Sequence, residues 1–400
     1  MLTLKQFHSQ LADGTLASAR HIQLSDSLTE FPQALYALAD SLEVLDLSGN
    51  QLTQLPGDLT RFKKLRILFA SGNPFTELPA VLGQMPALEM VGFKACRIEH
   101  VPANSLPPRL RWLILTDNRL QTLPDTLGQC PRLQKLMLSC NQLRSLPSSL
   151  AQCQKLELLR IASNQFEQLP EVIFELPALA WLAMAGNPMT QKSELQVLES
   201  PALELIFYQN LQIHELLGQG ASGHIYRASH GNQSLALKLF KAAHTSDGTP
   251  QSELAAGLAI GQHPQLLTPL AQVLGAPDGQ LATALPLLDA SMQPLAGPPS
   301  FDSCTRDVYG AEQKFSPFAA QRLLQAMQSA LTQLHVRGVL HGDFYAHNIL
   351  WNAATGDAML SDFGAAAMTE ALPKAQVAQL QQIELRALRH LHQEIQTRTV

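Results

Sequence analysis

Four hundred residues, 46% hydrophobic and 15% charged with a net charge of −5, describe a globular chain long enough for two or three domains. There is no run of basic residues, so composition gives nucleic-acid or anionic-membrane binding no support. No stretch approaches the roughly 18 uninterrupted apolar residues of a membrane span, and Met1 to Phe7 carries no leader-like apolar run. A cytoplasmic protein is expected.

Leu4, Phe7 and Leu11 stand at helical spacing, so residues 2–12 are expected to form an amphipathic helix within an N-terminal cap, 1–18. From Ala19 to Pro201 the chain repeats itself. Units begin near Ala19, Leu42, Leu65, Leu88, Leu110, Leu133, Leu156 and Leu179, about 23 residues apart. In each, alternating leucines such as Leu45 and Leu47 predict a short strand with one buried face. Asn50, Asn73, Asn118, Asn141, Asn164 and Asn187 follow one turn later, where an amide can satisfy backbone groups freed by the bend. Pro56, Pro79, Pro102, Pro124, Pro147 and Pro170 fix the return path on the convex side. This pattern resembles leucine-rich repeats, eight of them, whose stability comes from stacking.

Two outward rows follow from this register. One runs Val44, Ile67, Met90, Trp112, Lys135, Leu158, Trp181, and the other Asp46, Phe69, Gly92, Ile114, Met137, Arg160, Ala183. Their apolar character predicts a protein-binding concave face centred on Phe69, Trp112, Ile114, Met137 and Trp181, unless it covers another part of the chain or the register is shifted by one residue. The five cysteines form no paired framework and are expected as buried, reduced thiols. Residues 193–200 read as a capping helix opened by Ser193, and 203–207 as a degenerate ninth strand ending a solenoid of 19–209.

Beyond residue 210 the composition turns to phosphate chemistry. Gly218, Gly220 and Gly223 form G-x-G-x-x-G between strand-like runs, where backbone N–H groups can approach phosphates. The alternating strand that follows carries Lys238, a point charge for the α- and β-phosphates. Then come His341-Gly342-Asp343, Asn348 and Asp362-Phe363-Gly364. Asp343 could orient a hydroxyl and accept its proton, while Asn348 and Asp362 offer hard oxygen ligands to Mg²⁺. The order and spacing resemble the protein kinases. The resemblance covers roughly 210–390 and implies an ATP and Mg²⁺ site in which Glu253 pairs with Lys238. It also implies that Ile225, Ala236 and Leu350 enclose the adenine and that Leu285-Pro286-Leu287 is the hinge. His335 and His341 read as structural, 291–313 as a loop, and 318–337 as the helix before the catalytic loop.

Three departures stand out. Gly342 replaces the arginine that usually precedes the catalytic aspartate, and Tyr345 stands where serine/threonine kinases place a lysine against the transferred phosphate. No Ala-Pro-Glu segment follows Asp362, and the helix expected to begin at Glu384 carries glutamate in place of the customary aspartate. The His-Gly-Asp string is also similar to small-molecule kinases of the aminoglycoside phosphotransferase type. The expectation is an α/β leucine-rich-repeat solenoid followed by an α+β, two-lobed protein-kinase-like domain (210–400) whose C-lobe reads as truncated. The leading reading is a bacterial-type repeat kinase acting on a protein hydroxyl, with a nucleotide-binding pseudokinase scaffold or a small-molecule kinase as alternatives.

Overall fold

The computed structural model describes residues 1–220, 222–241, 245 and 247–400. Two compact units emerge: 1–159 with 164–179, and 160–163 with 180–400.

In the first unit, helix α1 (Leu4–Ala12) opens on a reciprocal cap. The Thr3 hydroxyl accepts from the Gln6 backbone N–H at 3.2 Å, and the Gln6 side chain accepts from the Thr3 N–H at 2.9 Å. The repeat strands are β1 (His21–Gln23), β2 (Val44–Asp46), β3 (Ile67–Phe69), β4 (Met90–Gly92), β5 (Trp112–Ile114), β6 (Lys135–Met137) and β7 (Leu158–Arg160). With β8 (Trp181–Ala183) they follow chain order in one eight-stranded sheet. The pairing is parallel and places Val44, Ile67, Met90, Trp112 and Lys135 in one row, as the repeat register predicts.

The asparagines carry the bends. Asn50 Nδ2 donates to the carbonyls of Leu24 and Leu47 at 2.9 and 2.8 Å, and its Oδ1 accepts from Leu28 N–H at 3.0 Å. Cys96, standing in an asparagine position, points its thiol at the Ala70 carbonyl, 3.6 Å away. None of the five cysteines is in a disulfide; Cys130, Cys153 and Cys304 are buried as expected, but Cys96 and Cys140 are only half-buried, and burial pushes Cys130 up to about 12 and Cys153 to about 11. Pro56, Pro79, Pro124, Pro147 and Pro170 each precede a 3₁₀ turn.

The outward rows are more covered than their apolar character suggested. No member of either row is exposed: Ile67, Met90, Lys135 and Leu158 are buried, while Phe69, Trp112, Ile114 and Met137 are half-buried. The rows cover themselves, with the Lys135 ammonium 4.6 Å from the Trp112 ring centre and Trp112 Nε1 3.1 Å from Met137 Sδ.

The second unit opens with the end of the repeats. Helix α2 is Pro188–Leu198, not 193–200: Pro188 at its first turn presets the backbone, and Ser193 is a buried interior residue. The segment expected as a ninth repeat strand, β9 (Leu205–Phe207), instead pairs in parallel with β13 (Ala271–Leu274). It thus edges a six-stranded sheet ordered β10 (Leu211–Gln219), β11 (Gly223–His230), β12 (Gln233–Phe240), β14 (Ala282–Pro286), β13, β9. Leu211, Leu235, Leu237, Val273 and Ala284 form its core.

Helix α3 (Pro250–Ile260) is capped by Thr249, and α4 (Pro317–Val336) by Ser316, each followed by proline at the first helical position. Short pairs follow: β15 (Gln293–Pro294), β17 (Ile349–Trp351) and β18 (Ala358–Leu360) in one sheet, β16 (Val339–Leu340) and β19 (Ala367–Met368) in another. The last helix, α5, spans Lys374–Gln396 and so begins ten residues before the Glu384 start that the sequence suggested. Pro373 sets its N-terminal boundary, and Glu384 lies buried inside it.

Candidate active site

Within the second unit, the β10–β11 hairpin closes where Gly220 N–H donates to Gly223 O at 2.9 Å. The glycines serve different ends. A Cβ at Gly223 would lie 2.4 Å from the Leu239 carbonyl, so strand packing demands glycine there. At Gly218 and Gly220 nothing lies within 4 Å of such an atom, which leaves the backbone open to a ligand.

On β12, Lys238 lies opposite Ile225 and Thr283. Its ammonium forms an ion pair with Glu253 of α3, the side chains 9% and 12% exposed. Burial pushes Glu253 above its ordinary value, the Lys238 charge opposing this and the Asp362 carboxylate adding to it. These residues line one cavity of about 540 Å³ with Gly218, Gly220, Gly223, Leu285, Asn348, Leu350 and Asp362. That size suits a nucleotide-sized ligand. Ala236 sits buried in the sheet between Arg227 and Leu285, and Leu287 falls just past the end of β14; neither lines the cavity.

The loop between β16 and β17 is held by one buried carboxylate. Glu384 Oε1 accepts from the N–H groups of His341 and Gly342 at 2.6 and 2.9 Å, and Oε2 bonds His335 Nε2 at 2.8 Å. His341 Nε2 lies 3.0 Å from the Ser361 carbonyl. Both histidines thus hydrogen-bond within the fold. Gly342 has φ +75°, and a Cβ there would meet the carbonyls of Ala365 and Leu182 at 2.5 and 2.7 Å. Packing against a repeat strand is what excludes an arginine.

Asp343 does not line the cavity but meets it through Asn348, whose Nδ2 donates to Asp343 Oδ2 at 3.0 Å and to its carbonyl at 2.9 Å. Asp343 Oδ1 accepts from Arg160 Nη2 at 2.9 Å. Burial alone would raise this carboxyl. The charges of Arg160, His347 and His341, with the Asn348 hydrogen bond, outweigh burial and hold it below its ordinary value. Asp362 adopts φ +57°, uncommon for a residue with a side chain, and its Oδ1 accepts from Gly364 N–H at 3.2 Å. The Ser361 N–H and hydroxyl both donate to Asn348 O at 2.8 Å, tying the two oxygen-bearing residues together.

Among the described residues no group of three or more His, Cys, Asp or Glu is arranged to hold a metal. Asp362 and Asn348 suit a hard cation that completes its shell with phosphate oxygens and water. Two residues read as surface positions belong to this neighbourhood instead. Trp181, 2% exposed, stacks on Tyr345, and Arg160 meets Asp343. Arg160 is the one cation in its row, a signal the row carried without saying what it faces.

Residues 211–385 match the family described as "Protein kinase domain". Residues 108–166 and 131–189, and separately 41–62, match leucine-rich-repeat families. The chain carries leucine-rich repeats and a protein kinase domain. Among solved structures it is similar to an internalin from Listeria monocytogenes, at 22% identity over 43% of this chain and 50% of that one, TM-score 0.36. A leucine-rich-repeat protein of Leptospira interrogans matches at 24% identity over 47% of this chain and 65% of that one, TM-score 0.27. The matches thus span half and somewhat under two thirds of those chains' own lengths. No curated protein matches. The protein-kinase match begins at β10 and ends inside α5.

Proposed function

We infer that the protein transfers the γ-phosphoryl group of Mg-ATP to a serine or threonine hydroxyl of a protein. In this reading 210–400 carries the chemistry and the repeats of 19–209 recruit the partner. The observation that supports it is the meeting of Lys238, Glu253, Asn348 and Asp362 on one cavity, with Asn348 also bonded to Asp343. Lys238, held by Glu253, would bind the α- and β-phosphates. Leu285, Ile225 and Leu350 would enclose the base, and Gly218 and Gly220 would cover the phosphates. Asn348 and Asp362 would hold Mg²⁺, which when bound offsets charge on the phosphate oxygens. Asp343 would align the acceptor hydroxyl and take its proton.

The partner would lie on the half-buried concave residues Phe69, Trp112, Ile114 and Met137. No helix among the described residues is long and apolar enough to cross a membrane, and a cytoplasmic site of action belongs to the same reading.

The test is direct. Purified protein should incorporate labelled phosphate from ATP, and Asp343→Ala should lower the rate about a thousandfold, near 4 kcal/mol of barrier. Equal transfer by both proteins removes Asp343 from its role. One observation favours a second reading, a nucleotide-binding scaffold: both Asp343 oxygens are engaged within the protein and Tyr345 lies under Trp181. Its signature is thermal stabilisation by Mg-ATP without transfer.

A further inference from the structure

We propose that Arg160 is a catalytic residue of the phosphoryl transfer, a guanidinium delivered from repeat strand β7 to the charge that develops on the transferred phosphoryl group. The inference rests on the kinase reading above and assigns a group that neither the kinase-like segment nor its motifs contain.

The sequence leaves a gap that the fold fills. Tyr345 occupies the position of a cation, but its phenol is neutral and its ring lies flat against Trp181, 4.1 Å between centroids. Lys238, paired with Glu253, is assigned to the α- and β-phosphates, and His347 Nδ1 bonds the Asp307 carboxylate at 2.7 Å. The cationic side chain hydrogen-bonded to the Asp343 carboxylate is Arg160, its Nη2 2.9 Å from Oδ1, with the two side chains 11% and 13% exposed. Charge in such a desolvated place is far more effective than the same charge in water.

The guanidinium has a second acidic neighbour. Its Nη1 lies against Asp247, and Asp247 in turn borders Gly364, where an added Cβ would be 3.8 Å from its own. Arg160 thus sits on Asp343 and, through Asp247, beside the Asp362-Phe363-Gly364 segment. A guanidinium has five N–H donors, so it can keep Asp343 in place while others reach phosphoryl oxygens.

The chemistry balances without further reagents. The acceptor oxygen forms a bond to the γ-phosphorus while the bond to the β,γ-bridging oxygen breaks. ADP leaves with that electron pair, and the hydroxyl proton passes to Asp343 and then to solvent. Arg160 meets the negative charge spread over the phosphoryl oxygens between those events.

The experiment measures kcat and KM for ATP, with Mg-ATP thermal stabilisation as the fold control, for the full chain and two variants. R160Q keeps an N–H donor for Asp343 but no charge, and its kcat should fall about a hundredfold with KM and thermal stabilisation unchanged. R160K keeps a point charge without the fork, and its kcat should fall about tenfold. A purely structural Arg160 would move stability and leave kcat alone. Wild-type kcat in either folded variant overturns the proposal, and a higher kcat does so by making Arg160 a latch on Asp343. If R160Q does not fold, R160K decides on the same criterion. Failure of the wild-type protein to transfer phosphate sinks the kinase reading together with this one, whereas an active wild type matched by its variants sinks this one alone.

Discussion

Trp181 lies flat on Tyr345, their ring planes 5° from parallel and their centroids 4.1 Å apart, and its indole N–H donates to the Phe344 carbonyl at 3.0 Å. A strand of the eighth repeat therefore buttresses the loop that carries Asp343. Trp181→Ala removes the stack and the hydrogen bond together and should cost about 3–5 kcal/mol in denaturant unfolding. Trp181→Phe keeps a ring and loses only the donor, so a loss of about 1 kcal/mol is expected. A loss below 1 kcal/mol for the alanine variant would show that the stack supports nothing.

Gly342 gives a sharper forecast, because it opposes what the kinase resemblance suggests. Restoring the family's arginine should not strengthen the enzyme. With φ at +75° and carbonyls of Ala365 and Leu182 at 2.5 and 2.7 Å from the added Cβ, Gly342→Arg should cost about 3 kcal/mol or more. Melting temperature and phosphate transfer should both fall; a variant as stable as wild type and more active would refute the packing argument.

These two residues also show what the sequence could and could not convey. The solenoid is legible because its signals are local: leucines at strand spacing and an asparagine one turn on, whose amide bonds carbonyls of its own and the preceding repeat, as Asn50 does. The cavity is legible because glycines, Lys238, Asn348 and Asp362 sit in a fixed order whose spacing encodes a site. Contacts between distant segments leave no such trace. Arg160 and Asp343 are 183 residues apart, and nothing in either neighbourhood names the other. The outward rows were read in the right register, yet part of their apolar character reflects burial. Ile67 and Met90 are 4% and 1% exposed, so an apolar row marks a covered surface as readily as a waiting one. Position 342 is the converse, a departure from the kinase pattern that only the Leu182 and Ala365 carbonyls explain.

Helix α3 is anchored beside its functional residue. Ser252 Oγ donates to Glu194 Oε2 of α2 at 2.8 Å, in a buried contact whose other oxygen accepts from Gly186 N–H at 3.0 Å. Ser252→Ala leaves that carboxylate short of a donor and should cost about 1–3 kcal/mol. Because Glu253 is the next residue, the variant should also lose part of its thermal stabilisation by Mg-ATP. Full stabilisation in the variant would mean that α3 holds Glu253 without help from α2.

The last forecast concerns pH and a carboxyl on α5. Tyr309 donates its hydroxyl to Glu394 Oε2 at 3.0 Å. Burial raises Glu394 above its ordinary 4.5; the Tyr309 hydrogen bond and the charges of Arg306 and Arg398 oppose it, and Asp307 adds to it. A carboxyl with a raised folded pKa binds its proton more tightly in the folded chain. Its contribution to stability is fully present below 4.5 and is lost as pH rises through the folded value. Glu394→Gln is neutral throughout and can still accept from Tyr309. The variant should therefore unfold at a higher temperature than wild type near pH 7, with the gap closing as pH falls toward 4. Paired melting curves across that range decide it: a gap that widens on acidification means that the ionised carboxylate, held by its arginines, is the form the fold prefers.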